Sequence, residues 1–194
     1  MKTLQILLIT LCLHIGLQKA YTQNFELDTR KSELFWTGKA AFTSYSLKGT
    51  IATKKGIISI SDTTITALNI FIDMKSLDHE NNDLKNHLKN EDFFEVKAFP
   101  KATFLINNVI EISNKKAILH GALTIKGKTN TENIAVRIEQ AESGITLKFN
   151  HTIDRTKYGV NHNSPSIFKR MKENAIADEF TLEGTLIFLK EKKK

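Results

Sequence analysis

The chain has 194 residues, a net charge of +7, two prolines and a single cysteine, Cys12. One cysteine excludes a disulfide scaffold and a cysteine-rich metal cluster. The lysines are scattered and densest in the last five residues, which reads as a solvated end and not as a nucleic-acid surface.

The chain opens like an export signal: Lys2, an apolar run from Leu4 to Leu17, then a polar stretch with small residues at Ala20 and Thr22. The run is shorter than the roughly 20 apolar residues that span a bilayer. Residues 1–22 are therefore expected to be a signal peptide, cut between residues 20 and 23, with the mature protein periplasmic or secreted. Ile9-Thr10-Leu11 ahead of Cys12 does not fit a lipidation site, so the cysteine leaves with the signal. Loss of Lys2 and Lys19 lowers the charge to +5. About 170 residues remain (23–194), enough for one domain with a sizeable core.

Period-2 alternation then dominates. Over residues 33–42, Leu34, Trp36 and Ala40 share one face. Residues 46–53 and 56–61 read as two strands with Lys54-Lys55 as a hairpin turn. Leu68, Ile70, Ile72 and Met74 align over residues 65–74, and Ala102, Phe104 and Ile106 over 102–112. Asn114-Lys115 turns into 117–125, where Leu119, Gly121, Leu123 and Ile125 align. Ile134, Val136 and Ile138 share a face over 131–140, and Ser143-Gly144 turns the chain. Residues 145–154 align Ile145, Leu147, Phe149, His151 and Ile153, and 179–189 align Phe180, Leu182, Leu186 and Phe188. Two segments read as helical. Residues 81–90 lack β-branched residues and place Leu84 and Leu88 four apart. Residues 166–172 follow Ser164-Pro165, a cap with proline at the first helical position.

Eight or more strands with one apolar face must cover that face. Two short helices are too few, whereas closure into an antiparallel barrel buries the face and removes the edges; a two-sheet sandwich is the alternative. The expected class is all-β, an antiparallel barrel with an inward apolar lining.

One stretch is more specific. Asp73, Ser76-Leu77-Asp78, Asp83 with His87-Leu88, Asp92-Phe93-Phe94 and Pro100-Lys101-Ala102-Thr103-Phe104 follow in order, then His120–Thr129 and Thr152–Gly159. Together they resemble the YceI-like family of exported lipid- and polyisoprenoid-binding proteins. The resemblance implies an extended, lipocalin-like antiparallel β-barrel of about eight strands with one or two short helices near its mouth, and a long isoprenoid, quinone-like or acyl chain held inside it, as carrier or store. It implies no cofactor and no catalysis. It leaves room for transient membrane contact and for a homodimer. Asn82 stands where members commonly carry Arg, His79 replaces a common Thr, and residues 161–174 form a longer insert, so the headgroup stays open.

A lining of aliphatic and aromatic groups suits such a cargo, because each exposed CH₂ costs about 0.8 kcal/mol in water. The expected lining is Trp36, Phe104, Leu123, Phe149, Leu182 and Phe188. Phe93, Phe94, Tyr158 and Phe168 are expected at the mouth, and Arg155 is a headgroup candidate because guanidinium suits phosphate. Asp154 and Arg155 are expected to form an ion pair at a strand end. His79, Asp83 and His87 have the spacing of a helical metal triplet, but a polar helix face explains them as well, and no metal is expected. No Gly-x-Ser-x-Gly elbow occurs. A lipid-modifying enzyme using His79, His87 or Asp154 with Arg155, and an accessory of membrane quinone and cytochrome systems, are the alternative functions.

Overall fold

The computed structural model describes residues 22–169 and 174–190. Residues 1–21 of the expected signal peptide and part of the second expected helix lie outside these residues.

The chain forms β1 (Gln23–Leu27), β2 (Glu33–Lys39), β3 (Ser46–Ser61), β4 (Thr64–Asp78), α1 (Asn82–Lys89), β5 (Lys101–Ile106), β6 (Ile110–Glu111), β7 (Lys116–Ile125), β8 (Lys128–Ala141), β9 (Gly144–Asp154) and β10 (Glu179–Lys190). The pairing runs β3-β2-β10-β9-β8-β7-β5-β4, and β4 pairs back onto β3. Eight antiparallel strands thus close into a barrel. The alternation seen in the sequence puts one apolar residue in two inside: β7 alternates exposed and buried from Lys116 to Gly121, and β8 buries Ile134, Val136 and Ile138.

The β1 strand, absent from the sequence reading, shares a position with β2. Both pair antiparallel with β3 on one side and β10 on the other, β1 at residues 188–190 of β10 and β2 at 181–185. They act as one stave broken at residues 28–32. The break leaves no backbone group of Ile187 unpaired. Its carbonyl accepts from the Asp28 amide (2.8 Å) and its amide donates to Ser32 Oγ (3.0 Å).

Three expectations change. Lys54-Lys55 is not a turn. β3 runs straight through it with a bulge between Thr53 and Lys55. The extra residue shifts the inward phase, from Gly49, Ile51 and Thr53 to Gly56, Ile58 and Ile60, and this shift looks like two strands in the sequence. The strand expected over 102–112 stops at Ile106 and resumes only as the two-residue β6, which pairs with the start of β4. The second helix does not form in the described part of 166–172. Residues 165–167 make a turn, with the Phe168 amide bonded to the Ser164 carbonyl (2.8 Å).

Helix α1 starts where the sequence indicates. Asn81 Oδ1 caps the Leu84 amide (3.0 Å), and Leu88 is buried beneath the helix. The β7–β8 hairpin turns through Lys126 (φ 48°) and Gly127 (φ 71°). Both need the left-handed region, where Gly carries no steric penalty. Lys126 Nζ donates to the Glu91 and Phe93 carbonyls (2.8 and 2.9 Å), which fixes the turn after α1 against the barrel end.

Trp36, the only tryptophan, lies flat over Gly49. A Cβ at residue 49 would overlap the indole ring and the Asp78 carbonyl. Gly49→Ala is therefore expected to destabilise the barrel by about 1–3 kcal/mol and to shift tryptophan emission in the folded state. Urea unfolding followed by fluorescence checks both.

Candidate functional site

The barrel interior is not uniformly filled. At the end formed by β1 and the β3–β4 turn the core is packed solid around Ile58, Ile65, Leu68 and Phe188, all fully buried, and a separate pocket with part-polar walls lies among Gln23, Phe25, Asp62 and Gln140. Towards α1 two cavities open along the axis. The inner one, about 40 Å³, lies among Leu34, Phe104, Leu119, Val136, Phe149 and Leu186. The outer one, about 110 Å³, lies under α1 among Trp36, Met74, Leu88, Phe93, Phe94 and Phe180. Ile72, Leu123, Ile153 and Leu182 border both, so the two share walls along one line. The lining is almost entirely hydrocarbon. Its charged or titratable side chains are Arg155 and Glu179 at the outer end and His151 further in.

Eight of the residues expected from the sequence border these cavities: Trp36, Phe93, Phe94, Phe104, Leu123, Phe149, Arg155 and Leu182. Three lie elsewhere. Phe188 packs in the solid end. Tyr158 is fully buried, and its hydroxyl donates to Glu132 Oε1 (2.8 Å), whose other oxygen meets His151 Nε2 (3.0 Å). Burial, then the hydrogen bond and charge of Glu132, push the Tyr158 phenol well above its ordinary value. Phe168 is about half exposed on the surface. The sequence reading favoured aromatic residues and so missed the junction residues Ile72 and Ile153, although both sit on inward faces of the alternation. Ile176, another outer-cavity residue, lies in a stretch with no periodic signal.

Arg155 is a clamp. Its side chain is buried, and it donates from Nε to the Ala177 carbonyl (3.0 Å), from Nη1 to Val160 (2.6 Å) and from Nη2 to Ile176 (2.9 Å). The expected pairing with Asp154 does not occur. Asp154 Oδ1 instead caps the short 3₁₀ turn at Arg155–Tyr158 by accepting from the Thr156 amide and hydroxyl (2.9 and 2.6 Å). The carboxylate nearest Arg155 is Asp178, at 3.8 Å. Burial pushes the guanidinium pKa down, against the pull of Asp178 and Asp154. It stays a cation, since arginine starts so high.

The metal triplet does not assemble. The helix begins after His79, whose ring packs on Trp36 (centroids 5.8 Å apart) and whose Nδ1 accepts from the Asn81 amide (2.9 Å). Ser76, next to Asp78 and His79 in sequence, is structural. Its Oγ donates to the Asp73 carbonyl and accepts from the Ala52 amide, bridging the register shift of β3 against β4 between Thr50 and Ala52.

The outer cavity is capped by rings: His87, Phe93, Phe94, His162 and Phe180 form a contiguous edge-to-face and tilted cluster. Burial, then the neighbouring His87, hold the His162 pKa below its usual value.

The fold and site define a class: a closed antiparallel barrel, solid at one end, with a carbon-lined interior beneath a helix at the other. The chain belongs to the YceI-like domain family, whose model matches residues 25–188. It is 29% identical over 126 residues to a UPF0312 protein of Vibrio parahaemolyticus, a match covering 63% of this chain and 65% of the relative, so under two-thirds of either. Among solved structures it superposes on Burkholderia cenocepacia BcnA with a TM-score of 0.68, at 22% identity, covering 83% of this chain and 98% of the other. A polyisoprenoid binding domain from Saccharophagus degradans implicated in plant cell wall breakdown gives 0.65, at 13% identity, covering 86% and 98%. At these identities the two structures speak for the shared fold.

Removing Arg155 should open the barrel end. Arg155→Met leaves three carbonyls without their donor and Asp178 without its nearest cation, and is expected to cost about 3–5 kcal/mol. Arg155→Lys should recover little of it, because an ammonium cannot span the same three acceptors. Chemical denaturation measures both.

Asp178 gives the pH test. Burial opposes its charge, but the neighbouring polar groups of Ser164 and Ser166 and the Arg155 cation hold its carboxyl below the usual carboxylate range. A depressed folded-state value means that the carboxylate stabilises the fold above the ordinary carboxylate pKa, and that this is lost as pH falls through the depressed value. The stability gap between the native protein and Asp178→Asn is therefore expected to be full near neutral pH and to close in acid.

Proposed function

We propose that this protein is exported and binds a long-chain isoprenoid or other lipid inside its barrel, as a carrier or store. The observation that carries this reading is the pair of adjoining hydrocarbon-lined cavities, which start beneath α1 and end against the solid core. A chain lying there exchanges water for aliphatic and aromatic walls, at about 0.8 kcal/mol per CH₂. Such a lining demands no fixed polar contacts, which suits a repetitive apolar chain. Family membership supports the same reading. So does the likeness to a solved domain described as polyisoprenoid binding.

Binding without turnover fits the lining. Arg155 is committed to backbone carbonyls, and His151 to Glu132. The outer rim also carries exposed apolar groups. Phe42 and Tyr45, each over 60% exposed, lie in the loop whose Ala41 amide bonds to Ala175, beside the Ile176 and Ala177 edge of the outer cavity. These suit brief contact with a membrane during loading.

Mass spectrometry of an organic extract from freshly purified protein is expected to find one long-chain lipid per protein, chemically unmodified after incubation. Extracts without lipid, together with no uptake when one is offered, would sink the reading. Turnover of the offered lipid would favour the enzyme alternative. Leu123→Trp, at the wall shared by both cavities, is expected to shorten the chain that can be accommodated, at a packing cost of about 1–3 kcal/mol. Unchanged lipid length in a folded variant would remove the inner cavity from the binding path. The mature N-terminus, sequenced from the exported fraction, is expected between residues 21 and 23, at or just ahead of the start of β1.

A further inference from the structure

We propose that His87, Asp92 and His162 form a binding site for a divalent cation of the zinc class at the rim of the outer cavity. His87 lies in the last turn of α1, Asp92 in the turn that follows, and His162 in the insert after the 3₁₀ turn. Sequence spacing does not join them; the fold does. One donor atom from each lies within 4.8 Å of the others, and His87 Nε2 is 3.9 Å from Asp92 Oδ2.

Two observations carry the proposal. The first is the donor set. Two imidazoles and a carboxylate suit a borderline cation such as Zn²⁺ and leave a fourth position for water or a ligand oxygen. The second is His87 Nε2. It is shut off from solvent and has no hydrogen-bond partner. A buried ring nitrogen left unpaired is costly, and coordination would satisfy it.

The geometry is close to closing but not closed. Tetrahedral donors at about 2.0–2.1 Å from zinc stand about 3.4 Å apart. The shift needed is about an ångström, the size that small side-chain rotations supply. Phe93 holds the frame. Its ring packs on both imidazoles (centroids 5.1 Å in each case) and also lines the outer cavity. A bound cation would therefore fasten the insert to α1 directly over the entrance. This inference does not depend on the lipid reading, and either can fail alone.

The test uses tag-free protein stripped with a chelator and titrated with ZnCl₂ by calorimetry, with Co²⁺ absorption as the geometric probe. The expected result is one Zn²⁺ per chain, a tetrahedral Co²⁺ spectrum and a rise in melting temperature with zinc. His162→Gln and Asp92→Asn, each checked for folding by circular dichroism, are each expected to weaken binding by about tenfold or more. His120→Gln, on the exposed face of β7, should leave binding unchanged. No zinc binding by the native protein, or binding that either site variant retains in full, overturns the proposal.

Discussion

The structure depends on closure of its sheet. A sheet of long strands with one apolar face is unstable alone in two ways: the face is wet, and the edges offer unpaired backbone groups. Pairing β4 back onto β3 removes both problems at once. Every other feature works within that ring. The β3 bulge adjusts the inward phase, the broken β1–β2 stave fills one position with two pieces, and the Ile187 backbone finds partners across the break. Small inward residues such as Gly49 then make room for rings.

Closure also decides what the interior can be. At one end aliphatic side chains from facing strands meet and fill the space. At the other, the bulk is carried by α1 and the turn after it, which cover the ring without entering it. The cavities lie between these two modes of filling. Arg155 keeps the cover in place by holding three carbonyls of the segments around β10's entry, and Lys126 does the same for the turn after α1.

The ring was legible in the sequence because alternation is a local signal with a fixed period. The inward faces of β4, β7, β8, β9 and β10 were read directly from it. What escaped was whatever breaks the period. The bulge at Lys54 looks like a turn because both place two polar residues between apolar runs, and only pairing with β4 distinguishes them. The short β1 is too brief to show a pattern. In the site, alternation marked the walls but could not say which wall residues touch empty space, so Phe188 was grouped with Phe149 although one is in the solid end. Arg155 was read through its sequence neighbour Asp154, yet its partners come from residues 160 and 176–178, which no spacing rule connects. The cluster of His87, Asp92 and His162 was invisible for the same reason.

The position of the broken stave has a kinetic consequence. β1 and β2, the first strands of the chain, pair with β10, the last. The ring cannot close until β10 has been made and delivered. Before that moment the β1–β2 stave and β9 present free edges, while β2 to β9 can already be assembled through their nearer pairings. Joining the ends carries the loop-closure cost of nearly the whole chain. Folding should therefore run as a fast curling of the strands from β2 to β9 followed by a slow, late joining of β10 to β1 and β2. The interval between the two is when an unfinished chain is most exposed to strand pairing with another copy of itself.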